Sequence, residues 1–172
     1  MALEGTHIRF ALDLKKGLNV LSLDQYLSGT IYPDSRYLTK IDRLLTHNDN
    51  LLKKSFYQND DFNKGWAVHK ACNIAQYRVL QELFRDQLSS SEKKVVSGNN
   101  NWIFRTAIKI LQDLSDINKF NIRENIQYLT YIRNPNGEDA EKIKQYNQIF
   151  IDLFNKDHFD IKDEFGYGTN WE

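Results

Sequence analysis

Three of the four histidines lie in the first 70 residues, together with an aspartate that directly follows a proline. His7, His47 and His69 each fall in or beside a segment with helical periodicity, and Asp34 ends the stretch Gly-Thr-Ile-Tyr-Pro-Asp. Pro33 has a fixed φ angle, which restricts the backbone next to Asp34. Helical bundles build metal sites from such side chains on separate helices. Imidazole and carboxylate donors suit zinc, iron, manganese or nickel without selecting one of them.

Each of these side chains also has a purely structural interpretation. His7 can be a packed or surface residue at a helix start, and His69 a core histidine that shares a helical face with Trp66. Asp34 can cap the helix that follows it. His47 can be a C-terminal helix residue that the helix dipole stabilises. Taken one at a time, the residues favour these interpretations, and only their combination points to a metal.

Four short motifs occur in a fixed order: Thr6-His7, Gly29-Thr-Ile-Tyr-Pro-Asp34, Thr46-His47 and Gly65-Trp-Ala-Val-His69. This order resembles the N-terminal half of the zinc-dependent phospholipase C and nuclease superfamily, over about residues 5–73. The resemblance implies an α-helical bundle in which His7, Asp34, His47 and His69 bind metal. A weaker resemblance to the helical HD-domain phosphohydrolases rests on Thr46-His-Asn-Asp49, where His and Asp are not adjacent.

The family's helical motif His-x-x-x-Asp reads His69-Lys-Ala-Cys-Asn73 here, so Asn73 would be a weaker metal ligand through its carbonyl oxygen. Only His158 follows, which implies one divalent ion, zinc by resemblance, or at most two instead of three. The resemblance also implies that Asp34 bridges ions or orients a metal-activated water as the catalytic residue. A bound metal lowers the pKa of water from about 15.7 toward about 7, which suits hydrolysis of a phosphate ester.

Three residues near these ligands in sequence are candidates for binding the substrate: Tyr32, Arg36 and Trp66. Arg36 suits a small phosphorylated molecule, because a guanidinium group matches phosphate geometry. Two alternatives stay open. The first is a non-catalytic helical protein with a single structural or vestigial metal site, which Asn73 favours. The second is a metal-free helical interaction protein whose histidines pack and cap.

The elements that must position these residues are predicted to be helices, because apolar residues recur at helical spacing and only two prolines interrupt the chain. Thr6 is a candidate cap for the first helix. Residues 28–35 and the tail from 157 are predicted to be loops, and a further helical stretch opens near 91. We expect an all-α single domain over residues 1–172, a bundle of about six or seven helices. The predicted helices cover about 5–16, 23–27, 35–45, 64–88, 102–114, 122–132 and 138–154.

Composition bounds the remaining questions. The 172 residues include 23 basic residues (Lys and Arg together) and 23 acidic residues (Asp and Glu together). Because the net charge is zero, bulk nucleic-acid binding is not expected. The single cysteine, Cys72, excludes an internal disulfide and a Cys-rich zinc module, and it is predicted to be a small core residue. Residues 1–18 are too polar for a signal peptide, and no stretch suits a membrane span. We therefore expect a cytoplasmic protein; the oligomeric state is left open.

Overall fold

The computed structural model describes residues 3–48, 60–84, 88–91 and 101–156. A 3-10 turn, Tyr32–Ser35, joins α2 to α3 without a break, so the described residues form seven helical segments. The predicted all-α bundle of about six or seven helices is confirmed. The α-helices are α1 (Glu4–Leu14), α2 (Leu23–Ile31), α3 (Arg36–Thr39), α4 (Arg43–Thr46), α5 (Asp61–Glu82), α6 (Asn101–Lys119), α7 (Ile122–Ile126) and α8 (Ala140–Phe154).

Helices α2 and α5 pack more closely than any side chain would allow at two positions. A Cβ atom on Gly29 would lie 2.1 Å from the carbonyl oxygen of Phe62, and one on Gly65 would lie 1.9 Å from that of Tyr26. Glycine lacks this atom, so the two backbones approach each other directly. This contact places the 3-10 turn against the N-terminal half of α5, where Tyr32 packs against Phe62 and Trp66.

The predicted loop over residues 28–35 is wrong, because α2 continues to Ile31 and the 3-10 turn follows. Gly29 serves close packing there instead of ending the helix. Pro33 lies in the first turn of the 3-10 segment, and because it has no N–H, the hydrogen-bond ladder of α2 ends at the Tyr32 N–H, which donates to the Ser28 carbonyl. The predicted helix over 35–45 is interrupted, because Lys40 has a left-handed φ of 62° that ends α3. Asp42 then caps α4 by accepting a hydrogen bond from the Leu44 N–H.

Other helix ends differ from the predictions because of local and tertiary hydrogen bonds. Thr6 lies inside α1 and does not cap it, since the helix begins at Glu4. Helix α5 begins at Asp61, because the side chain of Asp60 accepts the Asn63 N–H. Helix α7 ends at Ile126, and beyond it the N–H of Tyr131 donates to Ser28 Oγ. The predicted tail from 157 and most of the helix that opens near 91 lie outside the described residues.

Among the described residues, two clusters of buried hydrophobic side chains hold the bundle together. The larger joins α1, α2 and α5 to α6, α7 and α8, and the smaller consists of Tyr32, Phe62, Trp66 and Ile143. Cys72 is 2% exposed, which confirms the core position, and burial raises the pKa of its thiol to about 12. Among the described residues, no helix combines the length and apolar character that crossing a membrane requires.

Candidate metal centre

Four side chains that the sequence singles out meet in the interior of the bundle. His7 comes from α1, Asp34 from the 3-10 turn, His47 from the C-terminal end of α4 and His69 from α5. None of the four is more than 7% exposed. Elements distant in sequence therefore deliver three imidazoles and one carboxylate to a single buried place.

The distances between these side chains are short. His69 Nε2 lies 3.3 Å from His47 Nε2 and 3.8 Å from Asp34 Oδ2, and His47 Nε2 lies 3.4 Å from Asp34 Oδ1. The ring of His7 stacks on that of His69, with centroids 3.8 Å apart and planes inclined by 16°. One ligand atom each from His7, Asp34 and His69 fits within 4.8 Å of the other two.

A hydrogen bond behind the site assigns the ring proton of His69. His69 Nδ1 lies 2.9 Å from the carbonyl oxygen of Thr30, which can only accept, so Nδ1 carries the proton and the neutral ring has its lone pair on Nε2. His47 Nδ1 lies 2.9 Å from Thr46 Oγ1, which can donate or accept, so either nitrogen of the neutral His47 ring can carry the proton. A backbone carbonyl at the far nitrogen is a usual way to orient a metal-ligating histidine.

The charge states depend on these contacts. Burial, and next the nearby charge of His7, holds the pKa of His69 well below its usual range. Burial would raise the pKa of the Asp34 carboxyl, but the charges of His69 and His47 and the contact with His47 outweigh it and lower that pKa. The contact from His47 Nε2 to Asp34 Oδ1 is long, at 3.4 Å, and within the described part of the chain no closer hydrogen bond reaches that oxygen. The buried carboxylate therefore lies beside imidazole rings that donate when protonated and can bind a metal when neutral.

Two buried carboxyl groups near the site were not among the predicted residues. Glu4 lies one turn before His7 on α1, and its Oε1 accepts a 2.5 Å hydrogen bond from the hydroxyl of Tyr146. Burial, and next the charge of Asp34, raises the pKa of Glu4 to about 8. Asp113 of α6, 1% exposed, accepts the N–H groups of Gly5 and Thr6. The i, i+3 spacing of Glu4 and His7 was a usable signal, whereas nothing in the sequence connects Asp113 to α1.

The predicted substrate residues differ in exposure. Tyr32 and Trp66 are 1% and 5% exposed, and their rings pack edge to face with centroids 4.9 Å apart. Trp66 Nε1 donates a 2.6 Å hydrogen bond to the carbonyl of Thr46, next to His47. Arg36 is half-buried, its guanidinium lies 4.3 Å from the centre of the Tyr37 ring, and its charge also lowers the pKa of Asp34.

Asn73 lies on α5 one helical turn after His69 and is half-buried. Its predicted role as a metal ligand stays a prediction. Comparisons of the whole chain with models of protein families, with curated proteins and with solved structures find no match.

Proposed function

We propose that this protein binds a divalent transition metal, zinc by resemblance, and uses it to hydrolyse a small phosphorylated molecule in the cytoplasm. The observation that carries the proposal is the buried cluster of His7, Asp34 and His69, whose ligand atoms lie within 4.8 Å of one another. His47 adjoins this cluster, with its Nε2 3.3 Å from His69 Nε2 and 3.4 Å from Asp34 Oδ1. A cation there would be attracted to the Asp34 carboxylate and to the lone pairs of neutral imidazoles.

The donor set fits such an ion. Three imidazoles and a carboxylate are ligands that zinc and its neighbours accept. The Nδ1–H of His69 is engaged by the Thr30 carbonyl behind the site, which leaves its Nε2 for an ion, and the Nε2 of His47 lies 3.3 Å from that atom. Asp34 is ionised at neutral pH, whereas Glu4, whose pKa is raised to about 8, is mainly protonated; a divalent cation would balance the charge of Asp34 and favour ionisation of Glu4.

The chain's own residues would divide the remaining tasks. A divalent ion supplies Lewis acidity and an acidified water when it is bound. Asp34, whose pKa is lowered, is ionised at neutral pH and can accept a proton from a water or orient it. Arg36, half-buried beside Asp34, can hold a phosphate group through its planar donors. One or at most two ions agree with the number of ligands.

A second candidate function is a closed, non-catalytic metal site. Burial of all four side chains to 7% exposure or less favours it, because structural metal sites are closed and catalytic ones keep an open position. Asn73 also favours a non-catalytic site, because it stands where the motif His-x-x-x-Asp of the similar superfamily has a carboxylate.

The binding claim is tested by titrating metal-free protein with Co²⁺, whose absorption reports coordination by nitrogen and oxygen. We expect saturable binding by the wild type and its loss in His69→Ala and Asp34→Asn. The matched control is His158→Ala, which changes the histidine that the four sequence motifs do not include. Equal binding by His69→Ala and the wild type would contradict the proposal.

The catalytic claim is tested separately, with phosphomonoester and phosphodiester substrates in the presence of Zn²⁺, Mn²⁺ or Ni²⁺. Turnover by the wild type that Asp34→Asn and Arg36→Ala lose supports the hydrolase. Metal binding with no turnover above the Asp34→Asn background would select the closed metal site instead.

A further inference from the structure

The loop before α8 is locked onto the 3-10 turn by a buried hydrogen-bond network. The hydroxyl of Tyr32 donates to Glu138 Oε1 and accepts a 2.7 Å hydrogen bond from Asn136 Nδ2. The Glu138 carboxylate, 5% exposed, also accepts the Asn136 N–H at 2.9 Å and its side-chain amide at 3.2 Å. A buried carboxylate is tolerated only when its acceptors are satisfied, so this network fixes the loop and Tyr32 together.

The local sequence explains why the loop can adopt this shape. Asn134-Pro-Asn-Gly137 forms a turn in which the Gly137 N–H donates to the Asn134 carbonyl at 3.0 Å. Proline at the second and glycine at the fourth position are the residues such a turn favours. Gly137 has a φ of 79°, which a side chain would strain. The turn presents Asn136 and Glu138 to Tyr32.

A second anchor holds the other end of the same loop. Arg133 pairs with Asp60, the cap of α5, and its guanidinium lies 5.2 Å from the centre of the Phe62 ring. Phe62 in turn packs against Tyr32, with ring centroids 5.3 Å apart. The loop is therefore tied both to the 3-10 turn and to the helix that carries His69.

We infer that Tyr32, Asn136 and Glu138 are positioning residues that hold Asp34 in place for metal binding. The inference rests on the proposed metal site. Tyr32 is anchored at its ring by Phe62 and Trp66 and at its hydroxyl by the loop, and only Pro33 separates it from Asp34. Pro33 fixes one of the backbone dihedrals between the two residues, so anchoring Tyr32 restricts the positions that Asp34 can take. The C-terminal half of the chain thereby helps to build a site whose ligands all come from the N-terminal half.

The test compares Tyr32→Phe with Tyr26→Phe. Each variant removes one buried tyrosine hydroxyl and keeps the ring, but Tyr26 donates to the carbonyl of Ala11, away from the loop. We expect Tyr32→Phe to weaken Co²⁺ binding by up to about 10-fold, the lower end of the effect of removing a direct partner of a metal ligand, because Tyr32 acts on Asp34 only through the backbone. Its visible absorption at full occupancy should also change. Tyr26→Phe should keep the wild-type affinity and absorption, even if both variants lose similar thermal stability.

Two further measurements keep positioning separate from folding and from the proposed function. In a double-mutant cycle, Glu138→Ala added to Tyr32→Phe should cost little further affinity, because both remove the same connection. In metal-free protein, amide exchange at residues 34–36 should be faster in Tyr32→Phe and unchanged in Tyr26→Phe. Equal affinity and exchange in the two tyrosine variants would overturn the inference. A wild type that binds no Co²⁺ overturns the proposed function, and the exchange measurement, which needs no metal, then decides the positioning alone.

Discussion

Trp66 makes one hydrogen bond beside a metal-ligand candidate. Its Nε1 donates to the Thr46 carbonyl, so Trp66→Phe leaves a buried acceptor unsatisfied next to His47. We expect a loss of about 1–3 kcal/mol in the free energy of unfolding, with weaker metal binding. Urea denaturation and Co²⁺ titration measure the two effects. The control is Trp102→Phe on α6, where the side chain is 66% exposed and a change within about 0.5 kcal/mol is expected. Equal effects of the two substitutions would contradict this role.

Asp61 gives a residue-level prediction that depends on pH. Burial would raise its pKa, but Lys64 at 2.7 Å and the N–H groups of Ser22 and Leu21 at 2.7 and 2.8 Å lower it overall. A lowered pKa in the folded state stabilises the protein above the ordinary Asp pKa of about 3.9, and this contribution is lost as pH falls through the lower folded value.

Asp61→Asn should therefore lower the free energy of unfolding by about 1–3 kcal/mol at neutral pH. Its difference from the wild type should shrink as the pH falls below about 3.9. Urea denaturation at several pH values measures this, with the exposed Asp152→Asn as the control. A difference from the wild type that does not change with pH would contradict the assigned role of the carboxylate.

The type and order of the metal-ligand candidates could be predicted from the sequence, but their surroundings could not. The Thr30 carbonyl orients His69 from the backbone of another helix, and a backbone atom leaves no trace in residue type. Asp113 reaches α1 from more than 100 positions away, so only the packing of α1 against α6 brings it there.

At the scale of elements, the contact between α2 and α5 places both Thr30 and His69. A Cβ on Gly65 would meet the Tyr26 carbonyl oxygen at 1.9 Å and the Thr30 nitrogen at 2.8 Å. Gly65→Ala should therefore lower the free energy of unfolding by about 3 kcal/mol, the upper end of the usual cost of overpacking. It should also weaken metal binding. Thermal denaturation and Co²⁺ titration measure these effects.

Gly17→Ala is the matched control, since its added Cβ would find no closer atom than the Leu14 carbonyl oxygen at 3.7 Å. Its expected effect on stability is neutral or favourable by up to about 1 kcal/mol, because alanine restricts the unfolded chain. If Gly65→Ala were as stable as Gly17→Ala, the close helix contact would not exist in solution.

The elements themselves were predictable where periodicity was strong, as in α5 and α8. The prediction failed at residues 28–35, where Gly29 and Pro33 suggested a loop. In the fold, Gly29 contacts the backbone of Phe62 and Pro33 lies in the first turn of the 3-10 segment. Tertiary contact therefore determined that these residues are helical, which local propensity did not. At Lys40 the prediction failed in the opposite way, because a continuous helix was expected and the structure has a break. No sequence pattern signals the left-handed conformation of this residue.

At the scale of the whole molecule, an ion that binds only the folded state stabilises it by mass action. Free metal at 100 times its dissociation constant adds about 2.7 kcal/mol. We expect the melting temperature of metal-free protein to rise on addition of Zn²⁺ and to fall again with chelator. The variant His69→Ala should show neither change, and an equal rise in that variant would assign the effect to another site.

The central claim is that the four converging side chains hold a metal ion. The most direct test is metal analysis of the protein purified with neither added metal nor chelator. We predict one transition-metal ion per chain, or at most two, in the wild type and none in a folded His69→Ala variant. A folded wild-type protein without metal, or equal metal content in the two proteins, would contradict the claim.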